Sequence, residues 1–238
     1  KDWHHRIAGN NTIDGRNLAR VFPGDKHGTI TEQIAYFLTE KLLKPSDFLI
    51  DLHSGGITAR IPTLIGYIHS DDERGQRALA GAKAFGVSIM WGHPLPVLPG
   101  RSLTAATNLG IPALYTEAAG GGYARPEDVR CFTNGVLNVM KHLDMLEGEP
   151  QLQPVTHHLI GNGNLDEVIT TPVAGYFRSE VDLLESVSTG QQLGTICNAF
   201  GDVLARITSQ QSGIVIMLRR IHRVHPGDGL VHVTSRLE

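Results

Sequence analysis

The periodicity of apolar residues changes near residue 150, and this change constrains the fold of the 238-residue chain more than any other feature. Before about Leu146, stretches with helical spacing alternate with short apolar runs, which predicts helices alternating with strands. After Gln151 the pattern predicts short strands and glycine turns. The charged, proline-bearing stretch 147–154 predicts a linker. We therefore expect an α/β domain over 1–150 and a small all-β domain over 151–238.

The first part carries three predicted helices and two predicted strands. Thr29 and Glu32 form a capping box that marks the start of the first helix. The predicted helices cover 30–43, 72–85 and 126–145, and the predicted strands cover 48–53 and 112–117. Strands that alternate with helices form a sheet with parallel strands covered by helices. Ligands bind at the carboxyl ends of such strands, where His53 and Glu117 both lie.

The second part contains an internal repeat. The segment 174–177 and the later Val187-x-x-Gly190-Gln191-x-Leu193 recur as 212–215 and Val224-x-x-Gly227-Asp228-x-Leu230. Such self-similarity predicts two intertwined halves of a small sandwich or barrel, and it resembles the biotinyl/lipoyl-like barrel-sandwich domain. All lysines lie at or before Lys141. A carrier role is therefore excluded, because that role needs a lysine for the prosthetic group.

The composition excludes several classes of protein. The net charge is −3, and 41% of the residues are hydrophobic, so we expect neither disorder nor a nucleic-acid partner. No apolar run approaches the 18 or so residues of a membrane span, and two cysteines favour a reducing cytoplasm. The sequence opens at Lys1 without methionine or an apolar signal region, and we expect further chain upstream. Whether the chain forms a homo-oligomer is left open.

Two side chains at the strand ends are the first candidates for chemistry. His53, ahead of a glycine turn, suits a metal ligand, or it is a loop histidine held by local hydrogen bonds. Glu117 ends an apolar strand, where desolvation raises the pKa of a carboxyl toward that of a general base, or it leans into solvent. His93, between Gly92 and Pro94, is a weaker candidate for the lining of a cleft.

Two arginines form a second candidate set. Arg16 and Arg20 lie four residues apart between turn residues, and they could present planar guanidinium groups to an anionic substrate. Alternatively they pair with Asp14 and Asp25 at the surface, which is a common and weak arrangement.

The ordered motifs resemble one family. D-G-R-N-L-A-R-V-F-P-G, D-L-H-S-G-G and Y-T-E-A-A-G-G-G, followed by the lysine-free β part, resemble the succinylglutamate desuccinylase/aspartoacylase family of the zinc carboxypeptidase clan. The resemblance is closest to bacterial members that deacylate small N-acyl amino acids, including N-acetyl-diaminobutyrate deacetylases. It implies a mixed sheet flanked by helices, of the zinc carboxypeptidase type, followed by a small all-β barrel-sandwich domain.

The resemblance also implies site residues and a cofactor. One Zn²⁺ per subunit is implied, with His53 as its third protein ligand and Glu117 as the catalytic base. Arg20 matches the arginine that binds the substrate carboxylate, with Arg16 beside it, and Asn17 takes the position that supports a metal-ligating histidine. Gly120 to Gly122 are implied to keep the wall beside the glutamate open. The implied activity is hydrolysis of the amide of a small N-acyl amino acid.

Two departures from the family pattern leave two hypotheses about the metal site. Ala19 stands where the family has asparagine, and the His-x-x-Glu motif that supplies two zinc ligands is absent from the 238 residues. A catalytic zinc needs three protein ligands. Either the two further ligands lie upstream of Lys1, which is our prediction, or the chain is a metal-free, non-catalytic binding protein that retains the fold.

Overall fold

The computed structural model describes residues 10–164 and 168–237. His4 and His5, to which the sequence assigns no site role, lie outside the described residues. A short 3₁₀ turn covers Leu18–Arg20, and the α-helices are α1 (Ile30–Leu38, continued by a π-helical turn over Thr39–Leu43), α2 (Glu73–Phe85), α3 (Ser102–Asn108) and α4 (Pro126–His142). None of these helices combines the length and the apolarity that a membrane crossing requires.

Fourteen strands make up the sheets of the described chain. They are β1 (Leu49–Leu52), β2 (Ala59–Arg60), β3 (Leu64–His69), β4 (Ile89–Pro94), β5 (Ala113–Glu117), β6 (His157–Ile160), β7 (Ile169–Thr170), β8 (Gly175–Ser179), β9 (Ser186–Val187), β10 (Gln192–Cys197), β11 (Val203–Thr208), β12 (Gly213–Arg219), β13 (Arg223–Val224) and β14 (Gly229–Arg236). A ten-stranded sheet runs in the order β1-β5-β3-β4-β6-β14-β12-β2, with β7 beside β14 and β9 beside β12. A four-stranded sheet runs β11-β10-β8-β13.

The predicted helices are confirmed, with small shifts at their ends. The capping box holds α1 in place, because the Thr29 backbone N–H donates to the Glu32 carboxylate at 2.7 Å. Helix α2 begins after Asp72, whose side chain accepts a hydrogen bond from the backbone N–H of Gly75, and ends before Gly86, whose positive φ suits glycine. Helix α4 ends at His142 rather than at residue 145.

The predicted strands form the edge of the α/β sheet. β1 and β5 pair in parallel, as do β3 with β4 and β4 with β6, while β5 and β3 are antiparallel. Helices α2 and α4 pack on one face of this sheet, over a core that includes Ile65, Tyr67, Phe85 and Leu114. Strand β6 belongs to this sheet although it lies beyond residue 150, and the division of the chain into two domains stays a prediction.

The repeat in the second part pairs as two intertwined halves. β8 pairs with β10 in the first copy, and β12 pairs with β14 in the second. The short strands cross over, because β9 of the first copy pairs with β12 and β13 of the second copy pairs with β8. The core between them is apolar and includes Phe177, Leu193, Val215 and Leu230. The two-residue strand β2 pairs with β12, which ties this part to the loop beyond His53.

Candidate active site

The two strand-end candidates lie side by side. β1 and β5 are parallel neighbours, so their carboxyl ends meet at the same edge of the sheet. The backbone N–H of His53 donates to the carbonyl oxygen of Thr116 at 3.2 Å, and this bond holds the two strand ends together. His53, Glu117 and Arg20 together line a wide groove of about 1020 Å³ and a narrow inner cavity of about 120 Å³.

Glu117 is buried at the junction of the groove and the inner cavity. Its exposed fraction is 8%, and its Oε2 atom is buried without a hydrogen-bond partner among the described residues. Burial raises the pKa of the Glu117 carboxyl to about 7, because the charged form loses its hydration. The alternative in which Glu117 leans into solvent is wrong. A carboxyl with such a pKa can both take and return a proton near neutral pH.

His53 is oriented by a neighbouring carboxylate. Its Nε2 atom lies 3.0 Å from Oδ2 of Asp51, and Ser102 Oγ donates to the same oxygen. The hydrogen bond to Asp51 raises the pKa of His53, against the effect of burial. Burial alone would raise the pKa of Asp51, but the hydrogen bond with His53, its charge and the hydrogen bond from Ser102 lower it. The expected local hydrogen bonding of His53 is therefore present, and it leaves Nδ1 for a ligand.

A buried histidine and tyrosine form the floor of the inner cavity. Nδ1 of His93 lies 2.8 Å from the carbonyl oxygen of Gly161, which only accepts, so Nδ1 carries the proton and Nε2 accepts from the Tyr115 hydroxyl at 2.9 Å. Burial lowers the pKa of His93 to about 4, which keeps the ring neutral. The Tyr115 ring crosses β3 over Gly66, where a Cβ atom would lie 1.7 Å from the ring.

The structure separates the two arginines. Arg20 ends the 3₁₀ turn and lines both cavities, where a guanidinium can bind a carboxylate through two hydrogen bonds. Arg16 lines the groove but not the inner cavity. Its half-exposed side chain lies 3.9 Å from Glu32. The side chain of Arg16 thus pairs with Glu32 at the surface, and not with Asp14 or Asp25 as the alternative reading of the sequence had it.

Asn17 has a structural task beside Arg20. Its side-chain oxygen accepts from the backbone N–H of Ala19 at 2.9 Å and caps the turn that presents Arg20. Ala19 lines both cavities, where the family pattern has an asparagine side chain. The support of a metal-ligating histidine by Asn17 stays a prediction.

The glycine run after Glu117 packs against backbone. At Gly120 a Cβ atom would lie 2.5 Å from the carbonyl oxygen of Ala59 and 2.8 Å from Cα of Gly55. Within the described part of the chain, none of Gly120, Gly121 and Gly122 lines either cavity. The run therefore lets the loop that follows His53 and strand β2 approach β5, which differs from the expected open wall.

The described residues fit part of the predicted metal site. His53 offers one imidazole nitrogen at the groove, and Glu117 offers a buried oxygen without a partner. Residues 10–164 and 168–237 contain no group of three His, Cys, Asp or Glu side chains that could hold a metal ion. The prediction of two further ligands upstream of Lys1 therefore stays a prediction, and His53 fits as one ligand of the three that a zinc site needs.

Four residues of the candidate site were missed or underrated from the sequence. Asp51 stands two residues before His53, and the alternation of a strand places both on one face, a signal that could have found it. Ser102, Tyr115 and His93 reach the site from three other elements. His93 was expected at most to line a cleft, and it does line the inner cavity.

Comparisons with known proteins identify relatives of this chain. The sequence profile of the succinylglutamate desuccinylase/aspartoacylase catalytic domain matches residues 6–143. N-alpha-acetyl-L-2,4-diaminobutyric acid deacetylase from Halomonas elongata is 31% identical over 233 residues, which cover 95% of this chain and 67% of that protein.

Solved structures show the same fold. A succinylglutamate desuccinylase from a Silicibacter species superposes with a TM-score of 0.86 at 25% identity, over 96% of this chain and 70% of that one. The product-bound ectoine utilization protein EutE (DoeB) from Ruegeria pomeroyi gives a TM-score of 0.85 at 28% identity, over 95% and 69% of the two chains. The mixed sheet with its helices and the separate antiparallel sheet agree with the predicted fold class. The chain belongs to the succinylglutamate desuccinylase/aspartoacylase family.

Proposed function

We propose that the protein is a zinc-dependent deacylase that hydrolyses the amide bond of a small N-acyl amino acid. The observation that carries the proposal is the buried Glu117 carboxyl, with its raised pKa and its unpartnered Oε2, in the same two cavities as His53 and Arg20. The names of the relatives, a deacetylase and a desuccinylase, support this class of reaction.

Zinc would be held by His53 through Nδ1, together with ligands outside the described residues. When bound, zinc supplies a water of lowered pKa and polarises the acyl carbonyl. Location in the cytoplasm stays a prediction, and the sequence makes no prediction of a homo-oligomer.

Glu117 moves the proton in the proposed reaction. It takes a proton from the attacking water, whose oxygen forms a bond to the acyl carbon. The carbon–nitrogen bond then breaks as Glu117 returns the proton to the leaving amine. The products are a carboxylic acid and a free amino acid, and Glu117 ends in the state in which it began. Its raised pKa suits both transfers, because neither proton form is strongly favoured near pH 7.

Arg20 and the inner cavity would position the substrate. The guanidinium binds the carboxylate of the amino acid and so fixes the amide near Glu117. The inner cavity of about 120 Å³ is well below the 300 to 1,000 Å³, roughly, of a drug-sized site. It therefore admits a substituent of only a few atoms, which favours small substrates over peptides.

The test uses the full-length protein. Metal content is measured, and release of free amine is followed with a panel of N-acetyl and N-succinyl amino acids, before and after treatment with a chelator. We expect turnover that is lost on chelation and restored by Zn²⁺. The absence of a three-ligand group in the described chain and Ala19 favour the second candidate, a metal-free binding protein. Binding of these compounds without bound metal and without turnover would establish that candidate instead.

A further inference from the structure

Residues from β1, β5 and α3 together hold His53 in place. Asp51 and His53 stand on the same face of the chain as it leaves β1, and Oδ2 of Asp51 lies 3.0 Å from Nε2 of His53. Ser102, the first residue of α3, donates its hydroxyl proton to the same oxygen. The backbone N–H of His53 is fixed by the carbonyl and hydroxyl oxygens of Thr116, each at 3.2 Å. The imidazole is therefore held at both its backbone and its ring.

The hydrogen bond selects one tautomer of the neutral ring. A carboxylate only accepts hydrogen bonds, so the proton of the neutral imidazole lies on Nε2 and the lone pair lies on Nδ1. Nδ1 makes no hydrogen bond within residues 10–164 and 168–237, and the ring lines both cavities. In metal sites, a histidine that binds the metal through one ring nitrogen commonly donates the N–H of its other ring nitrogen to a carboxylate, which orients the ring. His53 and Asp51 have this arrangement.

We propose that Asp51 and Ser102 are positioning residues, which hold His53 in the Nε2–H tautomer so that Nδ1 binds the metal. Asp51 fixes the tautomer and the ring plane. Ser102 fixes the Asp51 carboxylate and thereby connects the first turn of α3, part of the wall of the inner cavity, to the metal ligand. The proposal rests on the proposed function, because it takes His53 as a metal ligand.

The first measurement needs no metal and no activity. The full-length protein, labelled with ¹⁵N-histidine and freed of metal by a chelator, is studied by long-range ¹H–¹⁵N spectra in alkaline buffer. The His53 signals are assigned by their loss in His53→Gln. We expect the Nε2–H tautomer in the wild type and a mixture of tautomers in Asp51→Asn. Asp47→Asn is the matched control, because Asp47 is an exposed carboxylate just before β1.

The second measurement is zinc affinity by competition with a chromophoric chelator. Loss of a carboxylate of this kind weakens metal binding by about 10- to 100-fold, and we expect this for Asp51→Asn and not for Asp47→Asn. Ser102→Ala should weaken binding less, and Ser102→Thr, which keeps the hydroxyl, should restore it. Circular dichroism checks the fold, and the Ser102 pair carries the test if Asp51→Asn does not fold.

The outcomes separate this proposal from the proposed function. Unchanged tautomer and unchanged affinity in Asp51→Asn, or no difference between Ser102→Ala and Ser102→Thr, would overturn the positioning role while leaving zinc hydrolysis intact. A wild-type protein that binds no zinc would overturn the proposed function, and with it Nδ1 as the metal-binding atom. The tautomer comparison would then decide the orienting role of Asp51 by itself.

Discussion

The α/β part and the β part of the molecule bury different kinds of side chain. The core between the two repeat halves is built from apolar side chains, from Phe177 to Val233, and the buried polar groups beside it include Thr195 and Thr234 but no carboxylate of the described chain. In the α/β part, the strand ends instead bury Glu117 and the ring of His93, and they partly bury the pair of Asp51 and His53. Both parts have apolar clusters, so the contrast lies in the ionisable side chains that the α/β part buries at its strand ends.

This contrast suggests that the strand ends of the α/β part serve reactivity, whereas the apolar core of the β part serves stability. A buried ionisable group costs stability unless its hydrogen bonds are complete, and Glu117 has an oxygen without a partner in the described chain. Among the described residues of the β part, no carboxylate is buried. If the strand ends serve chemistry and the β core serves folding, then substitutions in the two places should have opposite effects on turnover and on the free energy of unfolding.

The largest expected effect is that of Glu117→Gln. Removal of the proposed base should lower kcat by about 10²- to 10⁴-fold, whereas the free energy of unfolding should stay the same or rise, because a neutral amide replaces a buried carboxyl. Steady-state kinetics and chemical denaturation of the same preparation measure both. If kcat survives, Glu117 is not the base, and the contrast between the two parts loses its functional meaning.

The opposite pattern is expected for Leu193→Ala in the β core. Leu193 is fully buried, and truncation of such a side chain costs about 2 to 5 kcal/mol in the free energy of unfolding. At temperatures where the variant is folded, kcat should equal that of the wild type. Leu204→Ala is the control, since Leu204 is half-exposed on β11. A kcat that falls with Leu193→Ala would show that the β core also shapes the site.

The sequence predicted most of the local structure and the strand-end candidates, because these depend on short-range patterns. The capping box of Thr29 and Glu32 placed α1, and apolar runs placed β1 and β5 with His53 and Glu117 at their ends. The 37- to 38-residue repeat predicted the intertwined β part, since each copy carries its own turn glycine.

The rest of the site depends on the order of strands across the sheet, which local patterns do not contain. Tyr115 reaches His93 only because β3, with Gly66, lies between β5 and β4. Ser102 reaches Asp51 from a helix 51 residues away in sequence. Gly120 was expected to keep the wall beside Glu117 open. Its neighbours are instead backbone atoms of Gly55 and Ala59, which are distant in sequence.

A stability test of the α/β part follows from His93. The pKa of His93 is about 4 in the folded protein against 6.5 for an unperturbed histidine, so the unfolded chain binds more protons between these pH values. Stability is therefore complete above pH 6.5 and falls as the pH drops toward 4, by about 3 kcal/mol at about 1.4 kcal/mol per pKa unit.

Denaturation at a series of pH values measures this loss. His93→Gln should be less stable at neutral pH but should lose less stability between pH 6.5 and 4 than the wild type. His225→Gln, an exposed position in the β part, is the control and should follow the wild-type profile. Parallel profiles for wild type and His93→Gln would show that His93 takes up a proton as readily in the folded protein as in the unfolded chain.

The smallest expected effect separates two neighbours within the α/β part. Arg20 lines both cavities, whereas Arg16 lines only the groove and lies 3.9 Å from Glu32. Loss of a hydrogen bond to a charged group costs about 1.5 to 3 kcal/mol, so Arg20→Met should raise KM by roughly 10- to 150-fold. Arg16→Met removes a surface contact worth about 0 to 1 kcal/mol and should change KM by a few-fold at most.

A substrate without a carboxylate makes the comparison of the two arginines decisive. With an N-acyl amine that lacks the amino acid carboxylate, Arg20→Met should no longer differ from the wild type, because the group that Arg20 binds is missing. The wild type itself should show a raised KM with this compound, close to that of Arg20→Met with the full substrate. Equal losses for both arginine variants, or a loss by Arg20→Met that persists with the N-acyl amine, would assign the carboxylate to another side chain in the groove. In that case Arg20 would act on the charge of the site as a whole, since its positive charge also lowers the pKa of Glu117.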